Sequence, residues 1–68
     1  MILAHQASNI AVAYARSDLG WTNPSALGAR RHRSGRVVYV LGEADGQTRQ
    51  AKVLVSNAGA VIDETEVN

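Results

Sequence analysis

Along residues 3–19 the apolar positions recur with a helical period. At about 100° per residue, Leu3, Ala7, Ile10 and Tyr14 form a narrow stripe. Ala4, Ala11 and Ala15 widen the stripe on one side, and Val12 and Leu19 extend it, leaving a thin polar strip of Gln6, Asn9 and Arg16. The pattern predicts an alanine-rich amphipathic helix over 3–19. Alanine favours the helical backbone, and its small side chain lets a helix approach a sheet closely. Gly20 follows the last periodic residue and suits the left-handed position that ends a helix. Trp21-Thr22-Asn23-Pro24-Ser25 then reads as a loop, because Pro24 cannot continue a helix and biases Asn23 towards extended geometry.

From residue 26 the period changes to two, which predicts strands at 26–33, 36–44 and 47–56 and a short fourth at 60–64. Ser34-Gly35 and Asp45-Gly46 are the two-residue turn signals between the first three. Asp-Gly is the better of the two, because a type I′ turn wants a positive φ at both central residues. Asn57-Ala58-Gly59 marks the break before Ala60-Val61-Ile62. The expected fold class is α+β: one N-terminal helix packed on a three- to four-stranded antiparallel meander sheet, as a single domain over 1–68.

Two-residue turns fix the pairings. The second turn sets Val40 opposite Ala51, Val38 opposite Val53, Tyr39 opposite Lys52 and Val37 opposite Leu54. The first sets Ala29 opposite Val40, Arg31 opposite Val38 and Arg30 opposite Tyr39. One face then carries Leu27, Ala29, Val38, Val40, Ala51, Val53 and Val55, and suits the helix, with Arg31 reaching for the rim. The other carries Arg30, His32, Val37, Tyr39, Leu41, Gln50, Lys52 and Leu54. One helix covers one face of a sheet, so the second face is expected to present an apolar patch ringed by Arg30, His32 and Lys52. Such a patch is the usual look of an interaction surface.

Composition narrows the chemistry. The 68 residues include no cysteine, which removes disulfides, thiolate metal sites and a cysteine nucleophile. A domain of this size buries only about 60% of its unfolded surface, so packing or a partner chain must stabilise it. The net charge of +1 conceals a pattern. Arg30, Arg31, Arg33 and Arg36 make a basic hairpin, while Asp63, Glu64 and Glu66 make an acidic tail able to neutralise it. No apolar run approaches the roughly 20 residues that span a bilayer, and the first residues lack the basic start of a secretory signal. A soluble, cytoplasmic protein with no membrane partner is expected, although a mature secreted chain would look the same.

Serines, two histidines and several aspartates offer catalytic groups, but none falls in a motif that fixes their geometry. Neither His5 nor His32 has the companions of a metal site. Asp45 is explained by its turn, His5 by exposure near the helix start, and Trp21 by plugging the end of a small core. No catalytic, metal-binding or cofactor-binding residue is assigned, and no cofactor is expected.

The Ala-rich helix, the Tyr39-Val40 strand, the Asp45-Gly46 turn and the run from Lys52-Val53-Leu54-Val55 to Gly59-Ala60-Val61-Ile62 resemble the PepSY domain. They share a rhythm with small immunity-type proteins of cystatin-like, helix-on-sheet form. Ser56-Asn57 stands where the PepSY pattern has an aspartate, and the spacing to Gly59 is short. The resemblance implies a non-catalytic module that binds or inhibits another protein, often an enzyme. The expected function is that of a small modulator of a larger protein. Its partner-binding residues would be Arg30, Arg31, Arg33, Arg36, Val37, Tyr39, Leu41, Lys52 and Leu54, with the arginines steering it towards an acidic surface. Two alternatives use the same residues. One is a nucleic-acid-binding regulator, with arginines on phosphates and Tyr39 stacking a base. The other is a structural homodimer packed sheet to sheet.

Overall fold

The computed structural model describes residues 1–67. Helix α1 (Ala4–Ser17) is followed by β1 (Thr22–His32), β2 (Gly35–Ala44), β3 (Gln47–Ser56) and β4 (Val61–Val67). The four strands form one antiparallel sheet in the order β1-β2-β3-β4, an α+β meander with the helix on one face.

The helix starts where Leu3 turns extended, with φ −82° and ψ 155°. The Leu3 N–H donates to Oε1 of Gln6 at 3.1 Å, so a side chain satisfies one of the amides that open a helix. At the other end the N–H groups of Asp18 and Leu19 both donate to the Tyr14 carbonyl. Gly20, at φ +72°, then reverses the chain as the sequence predicts. The stripe that meets the sheet is the alanine line. Ala7, Ala11 and Ala15 are fully buried, Ile10 and Tyr14 flank them half-buried, and Leu3 is 51% exposed rather than packed. Residues four apart lie on one helix face, and methyl-sized side chains there let the backbone come down onto the strands.

Beneath the alanines lie Val38, Val40, Ala51, Val53 and Val55, all fully buried. Trp21 closes one end of this layer and Ile2 the other, at 6% and 5% exposure. The indole lies over Gly42, where an added Cβ would come within 2.9 Å of its Cε3, so the tryptophan is the expected plug and the glycine makes room for it.

The β2–β3 pairing follows the predicted register: Val40 faces Ala51, Val38 faces Val53, Tyr39 faces Lys52 and Val37 faces Leu54. Asp45 and Gly46 both take positive φ, 54° and 73°, which is the type I′ condition.

The β1–β2 pairing differs. His32 pairs with Gly35, so the turn is Arg33-Ser34, and Ala29 faces Val38 instead of Val40. Arg30 faces Val37, and Arg31 faces Arg36. The reason is that Gly35 is needed inside the strand. A Cβ there would fall 2.0 Å from the Val55 carbonyl oxygen, where only glycine fits against β3. The Nδ1 of His32 accepts the Ser34 N–H at 3.1 Å and holds the turn in this frame. A shift of two residues leaves Ala29, Arg30, Arg31 and His32 on their predicted faces.

Leu27 departs from its expected place on the covered face. A bulge between Ala26 and Gly28 puts it out of register, and it is 59% exposed. The segment after Trp21 is a ragged start of β1 rather than a loop, with Thr22 opposite Glu43 and a second irregularity before Ser25. Pro24 sits there on an outer strand, where no ladder hydrogen bond is lost. The fourth strand runs to Val67, well past residue 64, so the acidic tail is a sheet edge. Charged side chains are tolerated on such an edge because they stay in water.

Candidate functional site: the open sheet face

Alternation along the strands determines what the helix leaves uncovered. With Val38, Val40, Ala51 and Val53 turned to the helix, their neighbours Val37, Tyr39, Leu41, Gln50, Lys52 and Leu54 turn away from it. Three rows of directly paired residues cross this face. The first is Arg30, Val37, Leu54 and Asp63; the second is Gly28, Tyr39, Lys52 and Thr65; the third is Ser25, Leu41, Gln50 and Val67. Val37, Tyr39, Leu41 and Leu54 shield one another and are each half-buried, whereas Arg30, Lys52, Asp63 and Thr65 are exposed. Between them lies a shallow depression of about 240 Å³, lined by His32, Val37, Tyr39, Lys52, Leu54, Asp63 and Thr65. Glycine at 28 keeps the β1 side of the Tyr39 row low.

The charges on this face are Arg30 on the β1 side, Lys52 on β3 and Asp63 on the β4 side, and apolar Val37 and Leu54 fill the space between Arg30 and Asp63. Among the described residues, the ion pairs are Arg49 with Glu66 at 2.6 Å and Arg49 with Asp45 at 3.9 Å. Both involve β3 and lie away from the basic hairpin. The tail therefore neutralises Arg49 rather than Arg30–Arg36.

The basic hairpin itself is divided. Arg30 belongs to the open face, Arg33 lies in the turn, and Arg31 and Arg36 project on the helix side, opposite one another across β1 and β2. Arg36, grouped in the sequence with the partner-binding arginines, is half-buried and committed to the fold. Its Nε donates to the Ile2 carbonyl and its Nη1 to the Ala29 carbonyl, each at 3.1 Å. The Ile2 N–H donates to Oδ1 of Asn57, so Arg36 and Asn57 together latch the chain entering α1 onto the ends of two strands. Arg31 and Arg33 border a separate depression at this end with Met1, Gly35 and Asn57.

The sequence expectation missed Asp63, Thr65, Gly28 and Asn57. A signal for the first two is present: Val61, Asp63, Thr65 and Val67 continue the alternation of two beyond the Asn57-Ala58-Gly59 break. Among the described residues no three His, Asp or Glu side chains gather in a way that could hold a metal ion. No helix among them is long and apolar enough to cross a membrane. The open face offers apolar contact around Val37, Tyr39 and Leu54 beside the Lys52 ammonium, with Arg30 and Asp63 as opposite charges at its two margins. No known family, no curated protein and no solved structure matches the chain.

Proposed function

We propose that this chain is a non-enzymatic protein-docking module that acts by laying its open sheet face on another protein surface. The observation that carries the reading is the depression in which apolar Val37, Tyr39 and Leu54 lie among polar His32, Lys52, Asp63 and Thr65. Apolar side chains interleaved with charged ones suit a protein surface, where desolvated contacts supply affinity and the charges fix orientation. The resemblance to PepSY and immunity-type modules points the same way, as binding modules that modulate what they dock on.

Two features favour the face over the sheet edges. Both edge strands are bulged, β1 at Leu27 and β4 between its pairs to Leu54 and Val55. Bulged edges are poor templates for an added strand. The division of the hairpin arginines favours protein over nucleic acid, because Arg36 is held by carbonyls and Arg31 lies on the opposite side from Arg30. A continuous track of phosphate contacts needs its cations on one surface.

The test compares what the immobilised parent and a Tyr39→Ser/Leu54→Ser variant retain, with bound nucleic acid followed in parallel. The expected result is a discrete protein, of this chain or another, held by the parent and lost from the variant. Equal retention by both would overturn the reading. So would salt-sensitive retention of nucleic acid that disappears when Arg30, Arg31 and Arg33 are replaced.

A further inference from the structure

We propose that the protein covering the open face is a second copy of this chain, packed about a two-fold axis that runs parallel to the strands and passes between β2 and β3. The inference rests on the docking role of that face and names its occupant. Turning one copy over about such an axis lays its β1 on β4 of the other and its β2 on β3. Because the rows run straight across the sheet, each row then meets itself reversed. Arg30 comes over the second copy's Asp63, Val37 over its Leu54, Tyr39 over its Lys52, and Gly28 over its Thr65.

Each of these meetings is favourable or neutral. Arginine meets carboxylate at both margins, and the length of the Arg30 side chain suits the roughly 10 Å between packed sheets. The Lys52 ammonium lies over the Tyr39 ring, an attractive arrangement for a cation and an aromatic face. The smallest residue of the second row lies under a threonine. A two-fold axis running across the strands does the reverse. Run along the first or the second row, it lays β1 on β1 and β4 on β4, and sets Arg30 or Lys52 against its own copy. Aligned packing of two sheets is also the ordinary geometry of a β-sandwich. The surface is thus complementary to itself in one orientation, as an isologous contact must be.

The monomer has a reason to pair. Its largest fully buried side chains are four valines, Val38, Val40, Val53 and Val55. A dimer would add Val37, Tyr39, Leu41 and Leu54 to the buried set, and small domains that lack disulfides or metals commonly gain stability by association.

The experiment is sedimentation equilibrium of the full chain over a range of concentrations, for the parent, Arg30→Asp, Asp63→Arg and the double swap Arg30→Asp/Asp63→Arg. Both residues are exposed and on outer strands, so the folds should survive, and circular dichroism checks this. The parent is expected to approach twice its 7.2 kDa chain mass. Each single change places like charges together twice per dimer and should raise the dissociation constant about tenfold or more. The double swap restores opposite charges and should recover the parent's constant to within about threefold. Single-chain mass at every concentration would overturn the proposal, as would single variants that dimerise like the parent or a double swap no better than the singles. Single-chain mass together with face-dependent retention of a different protein would refute the second copy and leave the docking role standing. Single-chain mass with no retention would refute both.

Discussion

β2 and β3 contribute to two surfaces that share one backbone and differ in almost every other respect. Towards the helix they present Val38, Val40, Ala51, Val53 and Val55, all small and without exposure. Away from it they present Val37, Tyr39, Leu41, Lys52 and Leu54, mostly larger and half-buried or exposed. An alanine-lined helix leaves room only for valine and alanine beneath it, so the covered side was built for close approach. The open side has kept its large residues and placed charges of opposite sign at its margins. The difference separates what holds the monomer together from what is left to meet another surface.

The largest effect should come from the covered side. Trp21→Ala removes the plug over Gly42 and should cost about 3–5 kcal/mol. A chain of this length has a total stability of roughly 3–10 kcal/mol, so urea unfolding should show the variant stripped of about a third of that stability or more. A variant as stable as the parent would show that the end of the core is closed by something else.

The adjacent pair Val38 and Val37 tests the comparison directly, since the residue type is the same and only the face differs. Val38→Ala should cost about 2 kcal/mol, from two lost methyl groups and the cavity they leave. Val37→Ala should cost about 0.5–1 kcal/mol when measured at low concentration, because its site is only half-buried. Equal costs in urea unfolding would mean that the two faces are equally covered.

Two arginines that face each other across β1 and β2 offer a similar contrast. Arg36→Met keeps the stem but loses the bonds to the Ile2 and Ala29 carbonyls, and should cost about 1–2 kcal/mol. Arg31→Met should fall within about 0.5 kcal/mol of the parent, as surface changes do. Amide exchange at Ala7, whose N–H bonds the Leu3 carbonyl, should quicken in the first variant only.

The smallest change concerns the edge. Glu66→Gln weakens the ion pair with Arg49 and should lower stability by about 0.2–1 kcal/mol, with most of the loss vanishing in high salt. A loss that persists in salt would mean that β4 depends on this contact by hydrogen bonding rather than by charge.

Much of this contrast was legible in the sequence because it is a matter of parity. Once Asp45-Gly46 supplies a turn with two positive φ angles, every residue of β2 and β3 has its face and its partner. The β1 pairing was less accessible. Ser34-Gly35 resembles a turn, but Gly35 is required by its contact with the Val55 carbonyl, a neighbour that only the assembled sheet brings near. The bulge at Leu27 breaks the alternation next to Gly28, a glycine inside a strand of the kind that marks such irregularities, which the simple period of two passes over. Arg36 shows a different failure. Its spacing of two from Val38 places it on the helix side, yet its charge grouped it with the exposed arginines. Half-buried carbonyls of Ile2 and Ala29 hold it, and a list of charges does not reveal them. The acidic residues of β4 read as a tail for the same reason, although Val61 and Val67 kept the strand's alternation.

One sheet face is closed within the monomer, and in the proposed pairing the other is closed by a second copy of the chain. The most direct measurement is methyl NMR with a soluble paramagnetic agent, comparing Val38 and Val53 with Val37 and Leu54 from dilute to concentrated protein. Val38 and Val53 should stay protected throughout, while Val37 and Leu54 should be broadened when dilute and become protected as concentration rises. Open-face methyls that stay broadened at every concentration, or covered-face methyls that are broadened as strongly, would contradict this.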